Sequence, residues 1–130
     1  MGLNERRKLK ELQTETLPAR EKEIAEICGR AIPYEVDWAS FGESFEALNF
    51  LDNLSCHRLN MALRTICCDD MGKEAVREGL QRVKLKNVAT PAEKQIRFQG
   101  GVLEMSCAYA KGTEGMHRDG EIREVLLAGL

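Results

Sequence analysis

Asn53-Leu-Ser-Cys-His-Arg-Leu-Asn-Met-Ala-Leu-Arg-Thr-Ile-Cys-Cys-Asp-Asp-Met71 contains no Gly or Pro and keeps an unbroken helical period. With Leu59 set at zero and about 100° per residue, Leu63, Ile66 and Asp70 fall within about 40° of it, and Cys56 and Cys67 within about 80°. That arc is a core stripe with two cysteines on its shoulder. The opposite side carries His57, Met61, Arg64 and Cys68, at i, i+4, i+7 and i+11. Methionine and cysteine are poor choices for open water. Either the chain itself buries this helix over most of its circumference, or the second stripe meets another copy of the protein or a different partner. At about 1.5 Å per residue the helix is about 27 Å long, enough to cross a small domain.

The strongest local signal beyond that helix is a hairpin. Gln95–Gln99 and Val102–Tyr109 alternate apolar with polar residues around Gly100-Gly101. This register sets Phe98 opposite Leu103 and Ile96 opposite Met105, with Cys107 and Tyr109 continuing the same face. Arg97 then faces Glu104 on the other side, an opposite-charge pair. A slip of one residue would turn every apolar side chain outward. Val83 and Leu85 alternate with Lys84 and Lys86 as a third strand over 83–88. Tyr34, Val36 and Trp38 alternate with Glu35 and Asp37 as a fourth over 32–38, with Trp38 directed to the core.

Helices fill the remainder. Pro18 restarts the chain near Leu17, since proline suits a first helical turn. Ile24, Ile27 and Cys28 form that helix's stripe, and Gly29 ends it. Ser40-Phe-Gly-Glu43 matches a capping box ahead of Phe41, Phe45, Leu48 and Leu51. Asp52-Asn53 breaks the chain before the central helix. Gly72 caps or kinks the central helix, and a further helix follows from Lys73 to Gln81. Asp119 caps a last helix whose stripe is Ile122, Val125, Leu126 and Leu130. The fold class expected is α+β, a small antiparallel sheet of three to four strands with a C-terminal hairpin and several helices packed on one face. Residues 1–130 form one domain, with 1–15 a charged helix or mobile arm.

Composition narrows the function. The chain has 130 residues, 43% hydrophobic and 31% charged, with a formal charge of −2. Such a balance gives no general attraction to nucleic acid. The basic cluster Arg6, Arg7, Lys8, Lys10 is interrupted by acids, and the strip Arg82, Lys84, Lys86 lacks interleaved aromatics. Lysines on a strand also serve to protect a sheet edge. No apolar run approaches the roughly 18 residues of a membrane span, and the charged start lacks the apolar core of a secretory signal. Five cysteines in an odd set with no framework spacing point to free buried thiols and a cytoplasmic location.

Spacing bears on four chemistries. Cys56-His57 and Cys67-Cys68 are adjacent pairs, and helical neighbours diverge by about 100°, so neither chelates one ion. The two pairs also lie about 16 Å apart along the axis. No metal or cofactor is expected. Cys56 near a helix start has the position of an activated thiol, but His57 does not face it, and a core cysteine is the simpler reading. Asp69-Asp70 suit the capping of the following helix better than acid–base work. Gly100-Gly101 lies within a hairpin and cradles no phosphate. No stretch carries a family signature. The expectation is a non-catalytic cytoplasmic protein acting through protein–protein contact, as a homodimer or with a protein partner, by way of His57, Met61, Arg64 and Cys68. The alternative is a ligand-binding or enzymatic pocket between sheet and helices, using His57, Arg64 and Tyr109.

Overall fold

A computed structural model describes residues 2–130. It contains helices α1 (Leu3–Glu11), α2 (Leu17–Cys28), α3 (Phe45–Leu51), α4 (His57–Ile66), α5 (Asp70–Gly79) and α6 (Asp119–Gly129), and strands β1 (Tyr34–Asp37), β2 (Arg82–Asn87), β3 (Gln95–Gln99) and β4 (Val102–Cys107). The class is α+β, with one face of a four-stranded sheet covered by helices and the other bare. Alternation decides which face is which. Tyr34, Val83, Leu85, Leu103, Met105 and Cys107 are buried, while Glu35, Asp37, Arg82, Lys86, Arg97 and Gln99 between them are exposed.

The hairpin takes the register that its alternation demands. Gly100 and Gly101 have φ of 60° and 79°, the left-handed pair of a type I′ turn. Ile96 pairs with Met105, Phe98 with Leu103 and Arg97 with Glu104, the last closing an ion pair of 2.6 Å. Tyr109 leaves the strand, which ends at Cys107, and opens a 3₁₀ turn instead.

The sheet is mixed, which corrects the expected antiparallel arrangement. Its order is β1-β2-β4-β3, with β1 parallel to β2 and β2 parallel to β4. The long helical excursion between β1 and β2 returns the chain to the end it started from, as parallel pairing requires. Residues 88–94 then carry the chain past the end of the sheet to its far edge. There β3 runs back, and the hairpin inserts β4 beside β2. Alternation states which side chains face inward, but it says nothing of a neighbour's direction.

The central helix also differs from the expected 53–71. Asp52–Cys56 is a π turn in which the His57 N–H reaches the Asp52 carbonyl, so α3 runs into α4 without the break expected at Asp52-Asn53. At its far end α4 stops at Cys67. Asp69 caps α5, accepting from the Gly72 N–H at 2.8 Å. Gly72 therefore sits in the first turn of α5 and does not end α4. A second π turn, Leu12–Thr16, joins α1 to α2, and the helix passes through Pro18 where a restart was expected. Proline lacks an N–H and crowds the carbonyl four residues back, and a widened turn just before it accommodates both.

The helix expected from Ser40 starts later. Ser44 caps α3, accepting from the Ala47 N–H at 3.2 Å. Ser40 lies in a 3₁₀ turn, where its hydroxyl donates to the Asp37 carbonyl and accepts from the Asn87 N–H. Trp38 shares that turn, half-buried with its ring 6.1 Å from Phe41, and does not extend β1. The core stripe behaves as the period requires: Leu59 and Leu63 are fully buried and Ile66 nearly so. Helix α4 packs between α2 and α6, and α6 lies along β3. Helix α1 buries none of its side chains, while Leu12 just beyond it is fully enclosed.

Candidate functional site

His57, Met61 and Arg64 share the outer side of α4, and Cys68, which the helical period had added to them, lies in the turn that follows the helix. Asn60 on one flank reaches α2 through the Arg20 carbonyl, and Arg58 on the other reaches the His117 carbonyl just before α6. The stripe therefore faces outward between the two neighbouring helices. Met61 is 41% exposed; Arg64 and Cys68 are exposed, and His57 is half-buried. Met71, at the start of α5, is 81% exposed. Tyr109 does not join this group. It is fully buried, its hydroxyl donates to Ser55 Oγ at 3.1 Å, and its ring lies 5.1 Å from Phe41.

Beneath the stripe lies a polar network that periodicity did not reveal. Arg20 forks onto Asp52, Nε to Oδ1 at 2.7 Å and Nη2 to Oδ2 at 3.1 Å, and its Nη1 bonds Glu23 at 3.0 Å. Asn60, fully buried, donates to Glu23 Oε1 at 2.7 Å and to the Arg20 carbonyl at 3.1 Å. It accepts from the Tyr34 hydroxyl at 2.7 Å. The π turn at Asp52–Cys56 supplies two members of this layer, Asp52 for Arg20 and the Cys56 carbonyl as a second acceptor for Tyr34. Its one sequence signal was Asn60 itself, a polar residue about 100° from Leu59 and about 20° beyond Cys67 at the edge of the core arc. Every group here already has a partner, so the network positions α2, α4 and β1 against one another.

Desolvation pushes the Glu23 carboxyl up, but hydrogen bonds from Asn60 and Arg20 and the charge of Arg20 outweigh it, leaving the group below its ordinary 4.5. A carboxyl depressed by folding contributes stability above its unfolded pKa and loses it as pH falls through the folded value. Acid below about pH 4.5 is thus expected to weaken the fold partly through Glu23. Urea midpoints measured from neutral pH down through the carboxylate range should fall less steeply for Glu23→Gln than for wild type. Equal slopes would show that Glu23 carries no linkage.

Three of the thiols are held in the protonated form by burial. Burial pushes Cys56 far above the ordinary thiol value, Cys67 up to about 11 and Cys107 up to about 12. All five cysteines are free and only Cys68 is exposed. Among the described residues no three His, Cys, Asp or Glu side chains converge as metal ligands. His117, buried, sits with Nδ1 3.1 Å from Glu121 and Nε2 2.9 Å from the Gln95 carbonyl, which ties the last loop to β3 and α6.

The alternative reading needed a pocket at His57, Arg64 and Tyr109. Among the described residues, the four main surface depressions are lined by other side chains. One of them is a groove of about 400 Å³ on the bare face of the sheet, lined by Glu35, Asp37, Lys84, Lys86, Glu104 and Ser106. Acidic β1, basic β2, Glu104 on β4 and Arg97 on β3 make four columns of alternating sign. Two ion pairs hold parts of it, Arg82–Glu35 at 3.6 Å and Arg97–Glu104. Among the described residues Lys84 and Lys86 form none.

No helix among the described residues is long and apolar enough to cross a membrane. No protein-family model, curated protein or solved structure matches the chain.

Proposed function

We propose that the protein is non-catalytic and acts through protein–protein contact, with the outer face of α4 as the surface offered and a second copy of the chain as the first partner to test. The observation that carries this reading is the exposure of Met61 on α4, with Arg64 exposed about one turn on and Cys68 and Met71 exposed in the turn and the start of α5 that follow. Exposed methionine is an adaptable contact residue, and an arginine beside it is a common feature of interface composition. The enclosure of Tyr109 and the raised thiols weigh against an enzymatic pocket. A reducing, cytoplasmic compartment belongs to the same reading, because four of the five free thiols are buried.

An apolar contact survives screening, so the test belongs in about 1 M salt, where the Debye length falls to about 3 Å. Light scattering there is expected to show concentration-dependent association of wild type and a monomer for Met61→Arg. Equal, monomeric masses for both chains across the concentration range would remove self-association through α4.

A further inference from the structure

The bare face of the sheet lies on the side of the molecule opposite the helices, and its charges are ordered. In register across the four strands stand Glu35, Lys84, Glu104 and Arg97, one row of alternating sign. The next row is Asp37, Lys86, Ser106 and Gln95. Opposite charges one strand apart already stabilise the protomer, yet Lys84 stands between two carboxylates with no ion pair of its own among the described residues.

A four-column pattern of alternating sign has a property that a three-column one lacks. Reversed left to right, it becomes its own complement. We infer that this face binds a second copy of the same chain, sheet against sheet, about a two-fold axis that lies in the interface along the strands between β2 and β4. That operation keeps each row at its own height and exchanges β1 with β3 and β2 with β4. Lys84 then meets Glu104 of the partner subunit, and Glu35 meets Arg97 of the partner subunit, each contact occurring twice as two-fold symmetry requires. In the second row Lys86 meets Ser106 of the partner subunit, and Asp37 meets Gln95 of the partner subunit, both able to hydrogen-bond. The other two-fold in the plane, across the strands, would stack β1 on β1 and β2 on β2. It sets acid on acid and base on base, so the charge order selects one geometry.

Area limits the strength. Four strands about 4.8 Å apart and about five residues of 3.3 Å each present roughly 300 Å² per protomer. That is below the roughly 800 Å² per partner of a stable complex, so the dimer is weak and depends on its charges. It forms at low ionic strength and separates as salt shortens the Debye length from about 30 Å at 0.01 M to about 3 Å at 1 M. This inference goes beyond the proposal for α4, concerns another surface, and has the opposite salt dependence.

The test is charge exchange in a Met61→Arg background, which removes the contact proposed for α4, followed by sedimentation velocity in about 0.01 M salt. The Met61→Arg chain is expected as a salt-labile dimer. Lys84→Glu sets Glu against Glu across the axis, Glu104→Lys sets Lys against Lys, and each alone is expected to be monomeric. Mixed in equal amounts, the two variants restore both contacts, one chain supplying two carboxylates and the other two ammonium groups, and a heterodimer is expected. If either exchanged chain melts early by circular dichroism, Lys84→Gln and Glu104→Gln replace them, each with a weaker dimer expected. A monomeric Met61→Arg chain at low salt, a dimer that ignores the charge exchanges, or a mixture that stays monomeric would overturn the inference.

Discussion

Asn60→Leu is expected to lower stability by about 3 kcal/mol although it places an apolar side chain of similar size in a fully buried position. Asn60 is 0% exposed and its amide serves three partners, Tyr34, Glu23 and the Arg20 carbonyl. Leucine would leave Glu23 without its shortest hydrogen bond and Tyr34 with only the Cys56 carbonyl at 3.3 Å. Each unsatisfied buried group costs about 1–3 kcal/mol, and a charged one more. For a chain of this size the loss corresponds to roughly 10 °C in Tm. Urea unfolding measures it, and a loss under about 1 kcal/mol would mean that the network contributes little. The double variant with Tyr34→Phe should lose less than the sum of the two single losses, because both remove the same bond.

Gly72→Ala should destabilise the protein by about 2–3 kcal/mol, against the usual sign. Alanine in place of glycine within a helix ordinarily gains about 0.5–1 kcal/mol. Gly72 lies in the first turn of α5, where a Cβ would overlap the Ile66 carbonyl oxygen at the end of α4. A backbone oxygen cannot rotate away, so the α4–α5 turn has to open, an overpacking cost of about 1–3 kcal/mol added to the lost closure. Gly120→Ala is the control. It also lies in a first helical turn, and its nearest neighbour is Arg123 Nη2 at 3.9 Å, so a small gain is expected there. Thermal melts of both variants decide the matter, and a Gly72→Ala chain more stable than wild type would refute the close approach.

Some of these features were legible before any coordinates. The hairpin register followed from alternation around Gly100-Gly101, because a slip would have exposed Phe98 and Leu103 together. The burial of Leu59, Leu63, Cys56 and Cys67 followed from the helical period. Asp69 as a cap for the next helix followed from its place at the C-terminal end of the central stretch, where the helix dipole disfavours an acid. Other features gave no usable signal. The two π turns, at Leu12–Thr16 and Asp52–Cys56, shift the helical phase by one residue without any break in composition, so they pass for a restart at Leu17-Pro18 and a break at Asp52-Asn53. Of the residues proposed for the site, His57, Met61 and Arg64 lie on the outer side of α4, Cys68 lies in the turn beyond it, and Tyr109 is sealed away behind Phe41 and Ser55. The order of charge across the bare face was invisible for a different reason, since Glu35, Lys84, Glu104 and Arg97 come from four strands and line up only once the strand order is known.

By itself the sequence determined which side of each element faces the core, because the removal of apolar side chains from water acts residue by residue and leaves a local period. The tertiary structure alone decided that β1, β2 and β4 run parallel and that Asn60 is enclosed with Arg20, Glu23 and Tyr34. Strand direction depends on the path of connections more than forty residues long between β1 and β2, and a buried amide is tolerated only when distant parts of the chain bring it partners.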